Sequence, residues 1–81
     1  MRLRLARPKA NIVDAAMIAA LQAAFDARRG NAGVLAALVD AEGPHFSFGA
    51  SVEEHVAERC AAMLASLHAL LLAMLEWPVP I

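Results

Sequence analysis

Charged and apolar residues alternate from Arg2 through Leu3, Arg4, Leu5 and Ala6 to Arg7. That is the period of a half-buried strand, and Pro8 ends it. Asp14 is placed to cap a helix running to about Arg29. Within it Met17, Leu21 and Phe25 recur at i, i+4 and i+8 with Ile18 beside them, which makes one apolar stripe. Alanines fill the other positions and favour helix, Arg28 and Arg29 suit its negative end, and Gly30 stops it. Val34 to Val39 is a continuous apolar run between Gly33 and Asp40, as in a strand covered on both faces. Strand, helix and strand with short links predict a right-handed crossover between parallel strands.

After Asp40 the periodicity lapses. Gly43-Pro44-His45-Phe46-Ser47-Phe48-Gly49-Ala50 is a turn-rich, aromatic stretch, and Ser51-Val52-Glu53-Glu54 reads as a capping box. A helix is expected from Ser51 or a little later to about Trp77, with a break near His55 or Val56. Its first part is polar. Its second part, Cys60 to Leu75, is apolar nearly all round, so something must surround it. Pro78 and Pro80 end it, and Val79-Pro80-Ile81 resembles the approach to a further strand. The expected fold class is α/β, a small single-domain βαβα unit with an apolar C-terminal helix.

Composition sharpens this picture. Of 81 residues, 60% are hydrophobic and 19% charged, and the mean hydropathy is +0.55. A chain of this size buries only about 60% of its unfolded surface, so apolar residue is left over for a second subunit or the rest of a larger domain to cover. A net charge of -1 excludes a nucleic-acid footprint. Arg2, Arg4, Arg7 and Lys9 nevertheless cluster, which suits a phosphate-bearing ligand or a solvated strand edge alike. The single Cys60 fits a reducing, cytoplasmic setting. The Cys60–Leu75 stretch is too short, and interrupted by Ser66 and His68, for a membrane span.

Side chains offer little catalytic chemistry. Glu53, Glu54, His55 and Glu58 read as a solvated helix turn; His55 and Glu58, at i and i+3, could share a ligand, but the spacing is not that of a two-histidine zinc helix. His45 has no partner carboxylate set by spacing. His68 reads as a core or interface histidine, and Cys60 as a buried inert thiol. Neither a nucleophile elbow nor a phosphate loop is present. What remains is backbone: N–H groups at Gly49, Ala50 and Ser51 that could bind an oxyanion. The same residues also suit a plain strand-to-helix connection.

Ala6-Arg7-Pro8-Lys9-Ala10-Asn11, then an amphipathic helix, then Val34 to Asp40, then Phe46-Ser47-Phe48-Gly49-Ala50 stand in the order and at about the separation of the opening part of the enoyl-CoA hydratase/isomerase (crotonase) superfamily. Lys9 to Asp14 and Gly43 to His55 most resemble the cyclic dienoyl-CoA hydratases of aromatic degradation. The resemblance implies an acyl-CoA thioester as substrate, with coenzyme A as part of the substrate and no other cofactor or metal. It implies that the Ala50 N–H is one of two donors to the thioester oxyanion. It further implies that Arg7 to Ile12 line the CoA side, with Lys9 near phosphate, Ala10 near the nucleotide, and Phe48 beside pantetheine and adenine.

The departures from the family pattern are equally specific. Ser51 stands where the family usually has an acidic residue. The second oxyanion donor and the acid/base carboxylates lie downstream of Ile81 in the family, and the chain opens at what resembles the second strand of the family's first hairpin. It therefore reads as a crotonase-type piece truncated at both ends, partial and inactive alone. The competing reading is a non-catalytic α/β module or remnant that self-associates through its apolar helix or sheet edge. A homo-oligomer without nucleic-acid or membrane partners is expected on both readings.

Overall fold

The computed structural model describes residues 1–7, 10–49, 51 and 57–81, with Ala57 and Glu58 described by backbone alone. Among the described residues four elements follow one another: β1 (Arg2–Leu5), α1 (Ala15–Arg28), β2 (Leu38–Ala41) and α2 (Ala57–Leu75). The two strands pair in parallel, with Arg2 opposite Leu38, Leu3 opposite Val39, Arg4 opposite Asp40 and Leu5 opposite Ala41. This is the expected α/β βαβα arrangement.

Helix α1 begins and ends for local reasons. The Asp14 carboxylate accepts from the Met17 N–H at 2.9 Å, satisfying one of the donors that a helix start leaves open. At the other end the Arg29 N–H reaches the Phe25 carbonyl at 3.0 Å. Gly30, at φ +79°, then turns the chain away. Met17, Ile18 and Phe25 are buried, as the stripe predicts, and α1 lays this face against α2.

The core joins Ile18 and Phe25 of α1, Ala37 before β2, Leu70 of α2 and Trp77 beyond it. Leu3 and Val39 pack against this cluster from the sheet. Trp77 closes the core. Its ring meets Phe25 edge-on, with centroids 5.4 Å apart at 81°.

Strand β2 departs from its expected form in two ways. The second strand begins at Leu38, not Val34. Val34 is drawn into a turn by its N–H bond to the Asn31 carbonyl, and Leu35 is 82% exposed. Nor is β2 covered on both faces. Val39 packs inward, whereas Leu38 is 58% exposed, because among the described residues β1 is the one strand beside β2 and the helices cover one side. Both chain ends meet at this point. The Met1 ammonium donates to the Ala36 carbonyl at 2.9 Å, and the Ala37 N–H donates to the Pro80 carbonyl at 2.8 Å.

Helix α2 is enclosed on one face only. Met63 and Leu70 are buried, but Leu71, Leu72 and Leu75 are exposed, Leu75 by 82%. His68 is exposed as well, so it is not a core histidine, and Cys60 is half-buried rather than fully enclosed. The capping box reaches Glu54 and the expected break lies near His55; both fall outside the described residues. Among the described residues no helix is long and apolar enough to cross a membrane.

Candidate functional site

The segment between β1 and α1 and the loop after β2 face each other across an open cleft of about 520 Å³. One wall is Ala6, Arg7, Ala10 and Asn11; the other is Glu42, Gly43, Pro44, His45 and Phe48. The lining is predominantly apolar, and volume and character suit part of a small-molecule ligand.

Backbone geometry builds the first wall. Ala10 and Asn11 both lie in the left-handed region, at φ +62° and +48°. For alanine this conformation is strained by roughly 1–2 kcal/mol, and such strain persists only where surroundings enforce it. Here the enforcement is visible. The Ala10 carbonyl accepts from the Phe48 N–H at 2.9 Å, and the Asn11 N–H donates to the Arg7 carbonyl at 3.1 Å.

The second wall is a loop turned by Gly43 at φ +91° and Gly49 at φ +94°. Side chains rarely adopt such backbone angles, so glycine is required at both turns. The Val13 N–H donates to the Gly49 carbonyl at 2.7 Å, and the Ser51 N–H donates to the Val13 carbonyl at 2.9 Å. Those two bonds flank position 50. On the cleft surface the His45 and Phe48 rings sit 4.6 Å apart, tilted by 54°.

The basic cluster divides in two. Arg2 and Arg4 both bond the Asp40 carboxylate across the sheet, Arg2 through Nε at 2.8 Å, and have no part in the cleft. Arg7 lines the cleft, with its Nη1 2.7 Å from the Asp14 carboxylate. Its charge is thus partly neutralised by the residue that caps α1.

Of the residues expected at the site, Ala10 and Phe48 come together as opposite walls of this cleft. Phe48 is 65% exposed. Ile12 is half-buried and not part of the lining. Lys9 and Ala50 lie outside the described residues. Among the described residues no cluster of His, Cys, Asp or Glu could hold a metal ion. Asn11 is a structural centre that no sequence periodicity marks. Its side-chain amide donates to the carbonyls of Glu42, His45 and Phe46. A local signal for it existed, because asparagine is among the few residues that readily enter the left-handed region.

No family model matches the chain. Over all 81 residues it is 63% identical to the cyclohexa-1,5-dienecarbonyl-CoA hydratase of Thauera aromatica, and it covers 31% of that protein. The match is to its N-terminal part. The backbone superposes with a TM-score of 0.86 on the crystal structure of an enoyl-CoA hydratase/isomerase family protein from Silicibacter pomeroyi, at 28% identity. The match covers 98% of this chain and 34% of that one. The chain thus spans about a third of the length of the relatives it matches. The alternative of a non-catalytic self-associating α/β module or remnant is not favoured by these matches. Sequence and backbone are thus both similar to enoyl-CoA hydratase/isomerase (crotonase-fold) proteins, the sequence to the N-terminal part of one of them.

Proposed function

We propose that this chain forms the coenzyme A side of an acyl-CoA hydratase site and holds one half of its oxyanion hole. The observation that carries the reading is the 63% identity, over the full chain, to a hydratase of a cyclic dienoyl-CoA. The cleft between Ala10 and Phe48 supports it, because an open apolar groove beside Arg7 suits a pantetheine chain with phosphates at one end. In this reading Lys9 and Arg7 face the phosphates, and Ala10 and Ile12 follow the nucleotide. Phe48 packs on pantetheine and adenine, and the Ala50 N–H donates to the thioester oxygen as it becomes an enolate.

Chemistry follows from what these groups supply. A single N–H donor polarises the thioester carbonyl but does not move a proton. Losing one of two oxyanion donors costs on the order of 100-fold or more, and the chain as read supplies no acid/base carboxylate pair. These 81 residues alone therefore bind coenzyme A and do not hydrate a dienoyl-CoA. The setting is cytoplasmic, and copies of the chain associate through the exposed leucines of α2.

Calorimetric titration with coenzyme A tests the binding, and an absorbance assay with cyclohexa-1,5-dienecarbonyl-CoA tests the turnover. Saturable binding without hydration is expected. Absence of binding would sink the ligand reading, and clear turnover would sink the claim that the chain is inactive alone.

A further inference from the structure

Asn11 is 2% exposed and touches both walls of the cleft through hydrogen bonds. Its Oδ1 accepts from the Arg7 N–H at 2.7 Å, holding the first wall. Its Nδ2 donates toward the carbonyls of Glu42, His45 and Phe46 at 3.2, 3.3 and 3.0 Å. Two amide hydrogens are thereby shared among three acceptors. Its own carbonyl accepts from the Ser47 hydroxyl at 2.7 Å, and that hydroxyl accepts from the Gly49 N–H at 3.0 Å.

The strand ladder does not do this work. β2 ends at Ala41, and the Glu42 N–H makes the last bond back to β1, at the Leu5 carbonyl. Beyond it, the bond between Phe48 and Ala10 and the bond between Gly49 and Val13 tie the loop at its far end. The stretch from Glu42 to Ser47 is held from Asn11.

We propose that Asn11 is a positioning residue: its amide fixes the first part of the 42–49 loop and so sets the separation of Arg7 from the Gly43–His45 wall across the cleft. The consequence for ligand affinity rests on the coenzyme A reading above, while the consequence for loop conformation does not.

Two substitutions separate positioning from bulk. Asn11→Gly permits the left-handed backbone and removes the side chain. Asn11→Asp keeps the size and the acceptor toward Arg7, but an ionised carboxylate cannot donate and would face three carbonyl oxygens in a buried place. Its carboxyl is therefore driven above the ordinary range, and once protonated it regains one donor.

The test is a set of ¹H–¹⁵N spectra of the wild-type chain and both variants from about pH 4 to pH 8, bracketing an upward-shifted carboxyl, followed by titration with coenzyme A. In Asn11→Gly the amides of residues 42–49 shift and lose exchange protection while those of α1 and α2 hold. In Asn11→Asp the same amides shift at high pH and return toward the wild-type pattern, recorded at the same pH, on acidification. Coenzyme A binding weakens on the order of tenfold in Asn11→Gly, because the competent loop conformation becomes a minor one. Unchanged loop amides in Asn11→Gly, or an Asn11→Asp spectrum whose difference from wild type at the same pH does not change with pH, overturn the proposal. So does the loss of all folded signals in both variants at every pH, which would make Asn11 a general stability residue. If the wild-type chain does not bind coenzyme A, the ligand reading fails and the spectra still decide the role of Asn11.

Discussion

The indole Nε1 of Trp77 donates to the main-chain carbonyl of Phe25 at 3.2 Å, the same carbonyl that accepts from Arg29 where α1 ends. One residue just past α2 thus closes both the core and the last turn of α1. Trp77→Phe keeps an edge-to-face ring but loses this bond and some volume, and should cost about 1–3 kcal/mol. Urea unfolding followed by far-ultraviolet circular dichroism measures it. A variant as stable as wild type would show that the bond contributes nothing.

Ala10 is the strained position of the cleft, at φ +62°. Glycine relieves that strain but adds chain entropy to the unfolded state, so Ala10→Gly should be neutral or stabilising by up to about 1 kcal/mol. A β-branched side chain fits this backbone worst, and Ala10→Val should lower the melting temperature by several degrees, at about 4–8 °C per kcal/mol for a chain of this size. Thermal melts of the pair check the order. The opposite order would contradict the left-handed assignment.

Asp14 serves two partners, the Met17 N–H and the Arg7 guanidinium. Asp14→Ser keeps a good helix cap, so stability should change by less than about 1 kcal/mol. The same change frees the Arg7 charge at the cleft and should tighten coenzyme A binding at low ionic strength. The gain should fade at high salt, where exposed charges are screened. Titrations at two salt concentrations read this directly, and equal affinities for the variant and wild type at low salt would remove Arg7 from the phosphate end.

Leu72 and Leu75 present an uncovered apolar surface on α2. Replacing both by Glu should shift sedimentation toward the monomer while leaving circular dichroism unchanged, because neither side chain belongs to the core. A wild-type chain that sediments as a monomer at high concentration would refute self-association through this face.

Much of the fold was legible because its signals are local. The cap at Asp14, the stripe from Met17 to Phe25, the stop at Gly30 and the alternation from Arg2 to Leu5 all act within a few residues of themselves. The start of β2 was not legible, because it depends on distant partners. Met1 and Pro80 claim the backbone of Ala36 and Ala37 before the ladder begins, and nothing within Val34–Val39 reports that. Likewise the apolar composition of α2 announced a need for cover without saying which leucines lacked it. At the site, Ala10 and Phe48 were picked out through family resemblance and not through any spacing. Asn11 escaped notice because its three acceptors lie 31, 34 and 35 residues away.

The convergence of the two chain ends on Ala36 and Ala37 has a topological consequence. With Met1 bonded to one residue and Pro80 to the next, residues 1 and 81 are close enough for a short Gly/Ser peptide to join them. The circularised chain would keep both bonds. It would also remove conformational freedom from the unfolded state, a gain that grows only logarithmically with the length of the closed loop. New ends could then be opened in the exposed turn between Gly30 and Gly33. Such a permuted chain would present its termini on the side of the molecule where α1 ends and leave the cleft undisturbed.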